Sequence, residues 1–191
     1  IVLLMKGNGW REAWSYDGDP LKGAKLMITY DSICQSSGIC YVDQQASGNQ
    51  DGSSWINAYR SLEQALDRAI HCPDITQIWM AGGTYTPYFE AGRSSWFNVP
   101  QGISIYGGFE GTESAVEERV YGAFPTILSG DIGAPGVSND NLYHVVNILP
   151  GTQQVFLDGM TIRDGQADGG TIDLQRGSGL YIQGVLSADK V

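Results

Sequence analysis

The chain has 191 residues, a formal net charge of −10, 26 glycines, and 17% charged against 42% hydrophobic residues. That apolar share excludes a disordered chain, and the acidity argues against nucleic acid, whose phosphates it repels. Glycine at about twice its usual share suits a β-rich protein with many turns, because glycine enters backbone conformations that other residues avoid.

The chain opens on Ile1-Val2-Leu3-Leu4-Met5, too short an apolar run and too poorly flanked for a signal peptide, and it reads as a strand. Trp10 to Tyr16 alternates as a second strand, and Asp17-Gly18-Asp19-Pro20 is a turn signal. Lys25 to Tyr30 makes a third strand. The pattern Arg11-Glu12-Ala13-Trp14-Ser15-Tyr16-Asp17-Gly18, followed by the Leu26-to-Tyr30 strand, resembles the closing strands of a β-sandwich module in multidomain bacterial secreted proteins. Residues 1–31 are therefore expected to be the terminal strands of an upstream sandwich-like module, with earlier residues missing and 32–38 as a linker. Residues 39–191 form the second expected domain.

Ile39 to Val42 starts a new β unit, and a Gly/Asn/Asp/Ser-rich loop follows at 47–54. A helix is predicted over 62–70. Ser61 and Gln64 make a capping box, and Leu62, Ala65, Leu66 and Ile70 share one face. Cys72-Pro73 ends it. Beyond it lie short predicted strands at 75–80, 103–106, 126–129, 143–148, 155–157, 160–162 and 180–182, separated by Gly-containing corners such as Gly107-Gly108, Gly130-Asp131 and Asp158-Gly159. Strand, glycine corner and strand in recurrence suit a solenoid of stacked coils. On spacing alone a β-sandwich or jelly roll fits nearly as well.

An ordered series of motifs favours the solenoid. It runs Tyr41-Val42-Asp43, Asp51-Gly52-Ser53-Ser54-Trp55, Ser61-Leu62 with Ala65-Leu66, and Ile78-Trp79-Met80-Ala81 with Gly83-Thr84-Tyr85-Thr86-Pro87. It continues with Ile105-Tyr106-Gly107-Gly108-Phe109, Thr126 to Asp131, Leu157 to Ile162, and Gly179 to Ile182. The series resembles the N-terminal part of right-handed parallel β-helix proteins of the pectin-lyase-like superfamily. Its nearest likeness is to adhesin-like surface proteins of Bacteroidetes-type bacteria and to polymorphic outer-membrane proteins. The resemblance implies an all-β right-handed parallel β-helix with a short N-terminal capping α-helix, its C-terminal coils unfinished. It also implies a non-catalytic, secreted or cell-surface structural or adhesive module.

Such a fold invites a search for polysaccharide cleavage, which needs clustered carboxylates and a basic partner. Asp158, Asp164, Asp168 and Asp173 are the densest acidic group, with Arg163 and Arg176 nearby. Asp158, Asp164 and Asp168 are the candidate calcium ligands, against their reading as corner residues bonding their own backbone. Asp43, Asn49, Asp51 and Ser53 offer a second calcium loop, without EF-hand spacing. No cofactor is otherwise expected. Trp96, with Tyr85 and Tyr88 upstream, is the candidate sugar-contacting group, whereas Trp55 and Trp79 read as core.

The expected partner is a surface glycan or a protein, met by loops 84–98 and 110–123. No nucleic acid and no membrane span are expected, since no apolar run approaches the length of about 18 residues a span needs. Two rival readings remain: a fragment of a polysaccharide lyase or glycoside hydrolase, and a fibre subunit self-associating through the β-helix ends. The extracellular reading implies a disulfide, Cys40 with Cys72, or Cys34 with Cys40.

Overall fold

The computed structural model describes residues 38–88, 91–151 and 154–183, all within the compact unit Cys34–Val191. The expected sandwich strands 1–31 and all of the expected linker but Gly38 lie outside the described residues. The first described strand is β1 (Ile39–Val42), followed by α1 (Leu62–His71). Next come β2 (Gln77–Ala81), β3 (Gly83–Tyr85) and β4 (Phe97–Val99). They are followed by β5 (Ser104–Phe109), β6 (Thr126–Ser129) and β7 (Val146–Ile148). The last three are β8 (Phe156–Asp158), β9 (Met160–Arg163) and β10 (Leu180–Ile182).

The strands fall into three sheets, ordered β1-β2-β5-β8, β3-β6-β9 and β4-β7-β10, and every pairing is parallel. From β2 onward the chain visits the three sheets in rotation, so each strand pairs with one a full circuit away. Register puts like on like. Cys40 aligns with Ile78, Ile78 with Ile105, and Ile105 with Leu157. Tyr85, Leu128 and Ile162 form a second row, and Val99, Ile148 and Ile182 a third. Parallel strands need both faces covered. One face of the first sheet supplies Val42, Ile78, Met80 and Ile105 to the main core. Its other face carries Tyr41, Trp79 and Phe109, and Trp79 and Phe109 stack with centroids 4.8 Å apart. Trp55 covers that face, its indole N–H donating to the Glu113 carbonyl at 2.8 Å.

Ser61 caps α1, its hydroxyl accepting from the Gln64 N–H as the capping box predicts. Leu62, Ala65 and Ala69 belong to the main core together with Leu66 and Cys72. The buried stripe runs 62, 65, 69, 72, which rotates Ile70, expected inside, to 52% exposure.

This packing corrects the expected class. The helix belongs to the main core and packs against β1 and β4, so the interior is not all-β. With three separate parallel-only sheets, the structure is mixed α/β, in place of the all-β right-handed β-helix expected from the motif series. Two strands were not anticipated: β3 and β4 are three residues long and fall in what reads as turn and loop.

The cysteine pairing is corrected as well. Cys72 is disulfide-bonded, but Cys40 is a free thiol buried on the inner face of β1, so neither Cys40–Cys72 nor Cys34–Cys40 forms. Strand alternation explains it: Cys40 sits in the apolar row with Ile78, and Gly52 closes over its sulfur. Burial pushes the Cys40 thiol up to about 12. Cys40 should therefore resist a thiol reagent at neutral pH in the native chain and react once the chain is unfolded. Rapid labelling of the native protein at Cys40, located by mass spectrometry, would contradict the burial.

Candidate functional site

The three aromatic residues expected to contact a sugar do not converge. Tyr85 is a core side chain, 2% exposed, whose hydroxyl donates to the Ala81 carbonyl at 3.0 Å. Burial raises its pKa. Tyr88 is exposed, and its backbone N–H donates to the Glu63 carboxylate at 2.6 Å. Trp96 is half-buried and tilted against His144 at 5.8 Å, while His144 stacks on Tyr181 at 4.7 Å. Trp96 thus starts an aromatic row across the β4-β7-β10 sheet.

Nor are the three aspartates brought together. Asp158 accepts from the Arg119 guanidinium at 2.8 Å. Asp168 accepts from Arg93, which also donates to the Asn141 and Gln166 carbonyls and stacks over Tyr143. Asp164 accepts from the Ser129 hydroxyl at 2.9 Å and pairs with Arg163 at 3.1 Å. Among the described residues no group of three or more His, Cys, Asp or Glu side chains could hold a metal ion. In the other acidic loop, Asp43 accepts from the Gln45 N–H and Asp51 from the Ser53 N–H, so each carboxylate ties its own turn.

What the fold does assemble is a cleft of about 540 Å³ between the loop after β5 and the β8–β9 corner. That size falls within the range of small-molecule sites. Its walls include Glu117, Arg119, Tyr121 and Phe124 on the loop side and Asp158 and Thr161 on the other. Two glycines let the layers approach. A Cβ on Gly159 would lie 2.5 Å from the Gly107 carbonyl oxygen, and Gly159 has a φ of +71°.

The loop is held from within by two carboxylates. Glu113 accepts from the N–H groups of Glu110, Gly111 and Thr112 at 2.7 to 3.0 Å. Burial alone would raise its carboxyl, but these donors hold it below the usual value. Glu118 accepts from the Ser114 N–H at 2.7 Å and from the Ser114 hydroxyl, and these bonds lower its pKa. Arg119 then fastens the loop to its surroundings. It donates to the Val116 carbonyl at 2.9 Å, to the Gly107 carbonyl at 2.8 Å and to Asp158, with its guanidinium 5.3 Å from the Phe109 ring. At the loop tip Val120 is 61% and Tyr121 100% exposed. Neither residue was singled out from sequence. The available signal was an apolar pair directly before a glycine, in an otherwise acidic loop.

No known protein family, no curated protein and no solved structure matches the chain. Together with the mixed α/β architecture, this corrects the expected likeness to pectin-lyase-like, adhesin-like and polymorphic outer-membrane proteins. Among the described residues no helix is long and apolar enough to cross a membrane.

Proposed function

We propose that the chain is a non-catalytic recognition module of a secreted or cell-surface protein, meeting a glycan or protein partner through residues 110–123. The observation that carries this reading is a loop ordered by two carboxylates and an arginine that nevertheless presents Val120 and Tyr121 to solvent. Ordering a loop costs entropy, and apolar side chains gain nothing from water, so a pre-ordered apolar tip favours association. The disulfide at Cys72 supports an oxidising, extracellular compartment. A non-catalytic role is supported by the aspartates, since Asp158, Asp164 and Asp168 are each engaged by an arginine.

A glycan array read beside a lyase assay on uronate polymers tests the proposal. Tyr121→Ala should fold as the parent does and lose at least about tenfold in binding to whatever the parent captures. Turnover that disappears in Asp164→Ala or Asp168→Ala would overturn the non-catalytic reading.

One observation favours a second reading, self-association. β8, β9 and β10 each stand last in their sheet among the described strands, and Phe156 on β8 is 58% exposed. Open strand edges recruit other chains. Sedimentation of the chain over a range of concentrations separates a monomer from an assembly.

A further inference from the structure

Resting on the recognition reading, the charge and hydrogen-bonding character of the cleft narrow the ligand. We infer that the cleft beside Tyr121 takes a short saccharide that is neutral or carries an amine, and rejects uronic acid, sulfate or phosphate groups.

Arg119 is the one cation among the cleft-lining residues, and it is committed. Its Nε donates to Val116, one terminal nitrogen to Gly107 and the other to Asp158. These bonds take three of the five guanidinium N–H donors, and the facing carboxylate offsets much of the positive charge that an anion would meet. The Gly108 N–H, another donor in the wall, is likewise taken, by the Thr126 hydroxyl at 2.9 Å. The acceptors are less committed. Glu117 is exposed on the loop wall, and Asp158 uses Oδ2 for Arg119 while its side chain remains 46% exposed. Glu117 and Asp158 against Arg119 leave the cleft net negative, in a chain whose formal charge is −10. A ligand must therefore bring hydrogen-bond donors and no negative charge. Sugar hydroxyls do so, and an amine adds attraction.

Tyr121 supplies the remaining surface. A ring wholly in solvent offers its face, whose negative polarisation attracts the C–H groups on the apolar side of a pyranose. Phe124 and Met160 extend this apolar surface into the cleft. A peptide entering by strand addition is disfavoured, because the nearby backbone groups are already bonded: Gly107 to Arg119, Gly82 to Phe109, and Gly83 to Pro125.

The experiment is titration calorimetry of the whole chain against three sets of oligosaccharides of matched length: neutral hexose oligomers, amino-sugar oligomers and oligouronates. Lysine-rich and neutral peptides serve as a fourth set. Binding is expected from the neutral or amino set, lost by at least about tenfold in Tyr121→Ala and unchanged in Tyr88→Ala. Glu117→Gln should leave neutral sugars bound and weaken amino sugars, a split that simple unfolding cannot produce. Binding confined to oligouronates or to peptides, if it depends on Tyr121, would overturn this inference and leave the recognition reading standing. Binding of any set that ignores Tyr121 would overturn both, and no binding from any set at about 1 mM ligand would overturn this inference and leave the recognition reading with a protein partner.

Discussion

Leu66→Asp is expected to unfold the chain or bring it to the edge of unfolding. Leu66 is 3% exposed on α1 and packs in the main core with Leu62, Ala65 and Ala69. Replacing it removes a buried leucine and places a carboxylate among the apolar side chains of the main core. The lost burial costs about 2–5 kcal/mol and the unpaired charge several more, against a typical total stability of about 5–15 kcal/mol. Thermal or urea denaturation followed by circular dichroism measures it. Leu66→Met, which keeps volume and polarity, should cost under about 1.5 kcal/mol. A Leu66→Asp chain that melts within a few degrees of the parent would show that α1 is not part of the core.

Gly159→Val is expected to damage stability and binding together. At φ +71° a β-branched residue is strained, and its Cβ would meet the Gly107 carbonyl oxygen at 2.5 Å and an Arg119 terminal nitrogen at 2.7 Å. Strain and clash together should cost about 3 kcal/mol or more. Relief by movement would unseat Arg119, and with it the loop that carries Tyr121. Gly170→Ala is the control, since nothing lies within 4 Å of a Cβ there, and it should stay within about 0.5 kcal/mol. Equal behaviour of the two variants in melting and in ligand titration would reject the close approach of the layers.

Local structure was largely legible in the sequence, and its assembly was not. α1 was readable because a capping box and an apolar stripe are local signals, as were β6 and β10, whose bounds match the predicted strands. β3 escaped because it begins on a glycine and reads as a turn, and β4 because Phe97-Asn98-Val99 overlaps the stretch 84–98, which reads as a loop. Grouping into sheets escaped because Phe97 pairs with Val146 and Gly83 with Thr126, far apart in the chain. The same holds for charge. Asp158, Asp164 and Asp168 look like one cluster when read along the chain, but successive turns aim them at different neighbours. Arg119 lies 39 residues from Asp158, and Arg93 lies 75 from Asp168. Asp158 ends β8 and Gly159 leads into β9, but the Asp158 carboxylate bonds Arg119 instead of its own backbone, so its role as a cleft wall depends on a residue reaching it from another loop.

The rotation of the chain through three parallel sheets also bears on how the molecule is made. From β2 onward no strand can find its following partner until a whole circuit has been synthesised: Ile78 waits for Ile105, and Val146 for Leu180. Loop closure of that span is entropically costly before any contact repays it, so spontaneous refolding from denaturant should be slow. Growth on the ribosome lightens that search. α1 and β1 precede the other described elements, and each later circuit can add to an edge already in place, as nascent chains ordering from the N-terminus do. The molecule is built to be laid down in sequence, and a circular permutant opened in the loop before β5 should fold more slowly than the natural order.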